Sequence, residues 1–239
     1  MLARPSWQTW SVSNRFQRLS RARLYLVCDE RPDAFIDDAL RGGVDILQVR
    51  IKDGADDERL LAVARRYARI CARHGALLIL NDRPDLVVAA RADGAHVGQD
   101  DVSVAAAREL VGVQRLVGLS THSSTQIDAA AAGRGGVGIG VDYIGVGPVH
   151  ATPTKPGRPS VGLELVRYAA RYAAMPFFAI GGIDAGSLPA VGRAGGRRVA
   201  VVRALTEARD PERAALALLA ALDDSDPAGE AVKVGSAQS

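Results

Sequence analysis

Side chains suited to handling an anion recur along this chain in short clusters, each just after an apolar run. They are Gln48, Arg50 and Lys52; Asn81 and Asp82; Gln99, Asp100 and Asp101; Ser120, Thr121 and His122; Thr152, Thr154 and Lys155; Gly181 and Gly182; and Arg203. Cations, hydroxyls and bare glycine amides are what stabilises phosphate oxygens. Carboxylates on separate clusters, Asp82 and Asp101, suit a hard cation such as Mg²⁺, which takes few protein oxygens and keeps positions for phosphate. Together the set reads as a metal-assisted diphosphate site. Its sharpest segment is G-P-V-H-A-T-P-T-K-P-G-R-P, residues 147–159. Proline fixes φ and drives the residue before it toward extended backbone, so Ala151 to Pro156 is a stiffened loop that holds two hydroxyls and an ammonium.

Each cluster also has an ordinary reading. Asn81-Asp82 ahead of Pro84 suits a helix cap, Gly181-Gly182 suits a turn, and the acids of D-G-A-D-D-E-R-L after Lys52 suit a loop and a first helical turn. His96, His122 and His150 are too far apart in sequence to claim a metal site. The functional reading therefore depends on elements that bring the clusters to one rim.

Those elements are legible. β-branched or leucine-rich runs fall at Leu24–Cys28, Asp45–Arg50, Leu77–Asn81, Gly94–Gly98, Leu116–Thr121, Tyr143–Val149, Phe177–Gly181 and Val199–Leu205. Between them lie stretches with helical spacing, such as Glu58 to His74 with Leu61, Ala64, Ala68 and Cys71, and Leu163–Ala174. The segments G-G-V-D at 42, R-A-D-G at 91, G-V-D at 140 and A-G-G-R at 194 echo one another where a helix ends and a strand opens. Eight strand-helix units favour a closed (β/α)8 barrel, a TIM barrel of class α/β, over an open doubly wound sheet, and in that fold the chemistry sits at the C-terminal ends of the strands. Every cluster named above is at such an end.

The bulk properties narrow the partners. A chain of 239 residues, 48% hydrophobic, is long enough for one large core. The net charge of +3 comes from scattered arginine rather than a basic stripe, which points away from nucleic acid and toward small anionic ligands. Two cysteines, Cys28 and Cys71, read as ordinary thiols of a reducing cytoplasm. No apolar run reaches the roughly 18 residues that would span a membrane. Residues 1–23 are arginine-rich and lack both acids and a compact apolar stretch, and residues 223–239 are polar; both are expected to be disordered extensions of a barrel over 24–222, and deletion of 1–20 and 226–239 is expected to leave turnover and melting temperature almost unchanged. Homo-oligomerisation is left open.

The ordered set "GGVDILQVRIKD", "NDRPDL", "GAHVGQDD", "GLSTHS", "DYIGVGPVHATPTKPG" and "FAIGGI" closely resembles the thiamine-phosphate synthase family across residues 24–222. The resemblance implies a TIM barrel that joins an aminopyrimidine methyl diphosphate to a thiazole phosphate, releasing pyrophosphate. It implies that Gln48, Arg50, Lys52, Asn81, Ser120 and Lys155 bind the pyrimidine diphosphate, that Lys155, Ser120 and Arg50 serve the chemistry, and that Asp82 and Asp101 hold one Mg²⁺ per subunit. Thr152, Thr154, Gly182, Val202 and Arg203 fall at the thiazole phosphate. Two positions depart from the family. Ile51 replaces the acid of Gln-x-Arg-acid-Lys, and strand alternation sends it to the helix layer, away from Gln48, Arg50 and Lys52. Arg203 stands where many relatives carry serine, either adding a phosphate contact or pointing away. A related thiazole tautomerase and a non-catalytic sensor of thiamine intermediates are the alternatives; neither needs two carboxylates aimed at one metal.

Overall fold

The structure is a computed structural model, and it describes residues 7–51, 56–133, 140–151 and 159–225, with side chains from Asn14 onward. Eight strands run in sequence: β1 (Leu24–Cys28), β2 (Ile46–Val49), β3 (Leu77–Asn81), β4 (Gly94–Val97), β5 (Leu116–Thr121), β6 (Tyr143–Val146), β7 (Phe177–Ile180) and β8 (Val199–Val201). All pair in parallel with their sequence neighbours, and β1 closes on β8, so the expected barrel is the observed fold. The helices are α1 (Trp7–Arg21), α2 (Asp33–Arg41), α3 (Asp57–His74), α4 (Val87–Ala90), α5 (Val104–Val111), α6 (Ser124–Ala132), α7 (Gly162–Tyr172), α8 (Leu188–Arg193), α9 (Arg203–Thr206) and α10 (Pro211–Asp224), with a 3-10 turn at Pro84–Leu86. Two strands end three or more residues short of their apolar runs. β6 stops before Gly147-Pro148, where proline offers no ladder donor, and β8 stops because Val202 leaves the extended region at φ −119°, ψ −83° and opens α9.

Strand alternation sorts the side chains into two cores. Tyr25, Ile46, Ile79, Leu116, Tyr143, Phe178 and Ala200 face the barrel interior. Leu26, Val49, Leu80, Val97, Val117, Ile144 and Val201 face the helices, where Leu60, Ala64, Tyr67, Ile70 and Cys71 of α3 meet them. The buried face of α3 centres on Leu60 and Val63 rather than on Leu61 and Ala68, which lie at its edge. Ile51 packs against the helix-side core, as alternation requires.

The internal echo has a structural purpose at the N-terminal face of the barrel. The residue immediately before β2, β4 and β6 is an aspartate, and its carboxylate reaches sideways to the first amides of the preceding strand. Asp45 accepts from Arg23 N and Leu24 N (2.7 and 3.0 Å), Asp93 from Leu78 N (3.0 Å) and Asp142 from Val117 N (2.7 Å). The fourth quarter carries Arg198 in that place, and its guanidinium donates to Ser20 O of α1 (2.9 Å).

That contact belongs to a correction. Residues 1–23 are not a disordered extension over their described part: α1 underlies the barrel floor, with Leu19 and Ala22 buried and Phe16 packed into the interior cluster. Phe16 and Leu19 are three residues apart and share one helix face. The arginines that suggested disorder secure the helix instead. Arg15 pairs with Asp93 at 2.7 Å, and Arg18 donates to the carbonyls of Gly75 and Ala76. At the other end, α10 carries the fold to Asp224, with Leu222 buried and Asp223 paired to Arg23 at 2.6 Å. The remainder of the expected tail, 226–239, lies outside the described residues.

Removal of residues 1–21 is therefore expected to destabilise the barrel, and Leu19→Ala to lower unfolding free energy by about 2–4 kcal/mol as a buried leucine truncation does. An unchanged denaturation midpoint for Leu19→Ala would show that α1 does not seal the floor. Cys28 and Cys71 are buried, and burial pushes both thiols up to about 12. Thiolate is the reactive form. A disulfide reagent at mildly alkaline pH is expected to find neither thiol in the native protein and both after unfolding; rapid native labelling would contradict the packing.

Candidate active site

A cavity of about 280 Å³ opens at the C-terminal end of the barrel, lined by residues from all eight strands or the loops that follow them. Among its walls are Gln48, Arg50, Asn81, Ser120, Gly182, Val202 and Arg203, so seven of the residues expected at the site meet around one space. Strand alternation is the cause for Gln48, Asn81 and Ser120, Arg50 follows β2 directly, and the loops after β7 and β8 bring in Gly182, Val202 and Arg203. Asp82 and Asp101 are not among the lining residues. Lys52, Thr152, Thr154 and Lys155 lie outside the described residues.

The cavity floor is a row of inward polar groups on aromatic packing. Gln48, only 4% exposed, donates through Nε2 to the Tyr25 hydroxyl at 2.7 Å, and that hydroxyl lies 3.0 Å from the hydroxyl of Tyr143. Tyr143 reaches His96 Nδ1 at 3.3 Å, and His96 Nε2 reaches Ser120 Oγ at 3.0 Å. Phe178 braces the row edge-on, its ring centroid 5.3 Å from Tyr25 and 5.8 Å from Tyr143. Burial pushes both phenols far above their usual range; at Tyr25 the bonds to Tyr143 and Gln48 offset part of the shift, and at Tyr143 the bond to Tyr25 adds to it. Both are neutral at physiological pH. Tyr25, Tyr143 and Phe178 escaped the sequence reading because they sit inside apolar runs. Their signal is register: Tyr143 opens β6 on an inward position, and Tyr25 is two residues before inward Val27.

Asn81 and Asp82 end β3 without capping a helix. The turn at Pro84 begins at Arg83 with no side-chain cap. Asp82 instead sits in the left-handed region at φ 57°, which costs a non-glycine residue energy, with its amide donating to His96 O at 2.8 Å and its carboxylate accepting from Asn81 Nδ2. Asp101 is no cap either, since Ser103 caps α5; it accepts from Gly98 N at 2.7 Å. The capping alternative for Asn81-Asp82 thus falls. They extend from adjacent strands, β3 and β4, and the donor set is two hard carboxylates. No cluster of three or more histidine, cysteine or acidic side chains able to hold a metal exists among the described residues. Such a set fits a Mg²⁺ shared with phosphate oxygens and water, not one caged by protein alone.

The opposite wall is backbone and cation. Gly181 and Gly182 have φ of 108° and 62°, and a Cβ on Gly181 would lie 2.5 Å from Pro148 Cα, so only glycine lets this turn close against the loop after β6. Arg203 opens α9 beside it, exposed at the cavity wall. Its guanidinium and that of Arg50 form no ion pair with a carboxylate among the described residues, unlike Arg83, which is committed to Asp57 and Asp85 at 2.6 and 2.7 Å. Among its described residues the site offers two cations outside any ion pair, glycine amides, hydroxyl and amide groups, and a serine-histidine contact between Ser120 and His96.

The family model described as thiamine monophosphate synthase matches residues 24–205. A thiamine-phosphate synthase of Arthrobacter sp. (strain FB24) is 49% identical over 86% of this chain and 96% of its own length. One from Nostoc punctiforme is 47% identical over 89% of this chain, which spans 59% of that longer protein. Among solved structures, the thiamine phosphate pyrophosphorylase of Pyrococcus furiosus superposes with a TM-score of 0.76 at 25% identity, covering 88% of this chain and 98% of that one. With a family match over residues 24–205, which hold all eight strands, and relatives near half identical, the chain belongs to the thiamine monophosphate synthase family of transferases.

Proposed function

We propose that this chain condenses 4-amino-2-methyl-5-(diphosphooxymethyl)pyrimidine with a thiazole phosphate to give thiamine phosphate and pyrophosphate. The observation that carries the proposal is the single cavity whose wall joins Gln48, Arg50, Asn81 and Ser120 on one arc to Gly182, Val202 and Arg203 on another. Two anionic substrates that must meet need two such arcs. The C–O bond from the pyrimidine methylene to the diphosphate breaks, its electron pair leaves with pyrophosphate, and the thiazole nitrogen supplies the pair for the new C–N bond. The aminopyrimidine stabilises the intervening cation, so no side-chain nucleophile is required.

The chain's work is binding, orientation and exclusion of water. Gln48, Asn81 and Ser120 orient the pyrimidine; Arg50, Lys52 and Lys155 hold the diphosphate. Thr152, Thr154, Gly182, Val202 and Arg203 hold the thiazole phosphate. Asp82 and Asp101 would hold Mg²⁺, which when bound neutralises the leaving diphosphate. The strained, non-capping Asp82 favours this reading over a tautomerase or a sensor, which have no use for it. The partners are thus small phosphate and diphosphate esters, and two buried free thiols accord with a cytoplasmic enzyme. No described helix is long and apolar enough to cross a membrane.

Incubation of the purified chain with both substrates and Mg²⁺ is expected to yield thiamine phosphate and pyrophosphate in equal amounts; pyrophosphate without coupling would refute the assignment. Chelator is expected to abolish turnover and added Mg²⁺ to restore it, with Asp101→Ala severely impaired yet folded. Full activity in excess chelator would remove the metal from the mechanism. Lys155→Met is expected to lower kcat by about 10²–10³, the usual loss for one preorganised electrostatic group. Thr152→Val is expected chiefly to raise KM for the thiazole phosphate, whose charge does not change in the reaction. Steady-state kinetics with each substrate varied separates these roles, and normal kinetics in both variants would reduce the loop to a rigid surface feature.

A further inference from the structure

The row from Gln48 to Ser120 has a direction. A phenol owns one proton and donates one hydrogen bond, while its oxygen accepts. Gln48 Nε2 donates to the Tyr25 oxygen, which leaves Tyr25 its own proton to place, and the hydroxyl within reach is that of Tyr143. Were Tyr143 to donate back, the Tyr25 proton would have no acceptor among the described side chains, and Tyr25 is only 2% exposed. Tyr143 therefore accepts from Tyr25 and gives its proton to His96 Nδ1. An imidazole that accepts at Nδ1 carries its hydrogen on Nε2, and that nitrogen then donates to Ser120 Oγ. Gly118 makes the central contact possible: a Cβ there would lie 2.2 Å from Tyr143 Cζ and 2.5 Å from His96 Nδ1.

We propose that Tyr25, Tyr143 and His96 are positioning residues forming a one-way donor row, so that Ser120, already an acceptor from His96, meets the substrate as a donor. At the other end, Gln48 commits one Nε2 proton to Tyr25, which leaves Oε1 to act as an acceptor. The pair selects a ligand edge with one amino donor and one unprotonated ring nitrogen, which an aminopyrimidine has and its deaminated oxo analogue lacks. This inference rests on the pyrimidine-binding role proposed above for Gln48 and Ser120.

The test is the tautomer of His96 in the intact, uniformly ¹⁵N-labelled chain, read from long-range ¹H–¹⁵N correlations and assigned by their loss in His96→Gln. A neutral ring protonated at Nε2 is expected. Protonation at Nδ1 would reverse the row, commit the Ser120 proton to His96 and overturn the proposal, whatever the enzyme does. Kinetics supply the second arm. Tyr143→Phe is expected to raise KM for the pyrimidine diphosphate on the order of tenfold, about the worth of one hydrogen bond. Combined with Ser120→Ala it should add nothing, because both changes remove the same donor. Fully additive losses would sever Tyr143 from Ser120 and overturn the row. A Ser120→Ala variant that binds pyrimidine normally would instead refute the substrate contact while the tautomer still reported the row's direction, so the two failures are told apart.

Discussion

Two-residue alternation sends Tyr25, Gln48, His96, Ser120 and Tyr143 inward, where Tyr25, Gln48 and Tyr143 are almost wholly buried. Each polar atom there has to be satisfied by another inward side chain. The result is one connected row across the barrel, braced by Phe178, in place of scattered polar contacts. A fully satisfied buried network is rigid, and this one carries two residues of the cavity wall at its ends. The need to pair these inward polar groups thus fixes the geometry of the cavity floor.

The two ends of the barrel use similar residue types for opposite purposes. At the floor, charge is consumed by structure. Asp45, Asp93 and Asp142 satisfy strand-opening amides, Arg15 and Arg108 neutralise Asp93 and Asp142, and α1 covers the interior apolar layer. Asp142 and Arg108 are both well buried, so the pair is stable only as a pair. At the mouth, Arg50 and Arg203 are left without a carboxylate among the described residues, and the Gly181-Gly182 turn exposes backbone instead of side chains. Arg15, Arg18, Arg108 and Arg198 serve the floor, so net charge by itself said little about the ligand.

The departures from the family pattern resolve differently. Ile51 packs into the helix-side core, so the family acid is replaced without disturbing the inward face shared by Gln48. Arg203 lines the cavity, which favours the reading in which it adds a cation for phosphate over the one in which it points away.

By itself the sequence determined the alternation of apolar runs, helical spacings and glycine stops, and with it the barrel and the end at which polar residues gather. Those are local signals, because strand period, helix period and turn chemistry each act within a few residues. It also carried the family resemblance and the positions of Gln48, Arg50, Asn81 and Ser120. Only the tertiary structure decided that α1 is part of the fold, since its apolar face is two or three side chains among arginines and has meaning only against the barrel floor. Likewise, Tyr25, Tyr143 and His96 come from strands far apart in the chain, and nothing in their local context says that they touch. Barrel closure joins them, and a contact made by closure depends on register between distant strands, which no stretch of sequence contains.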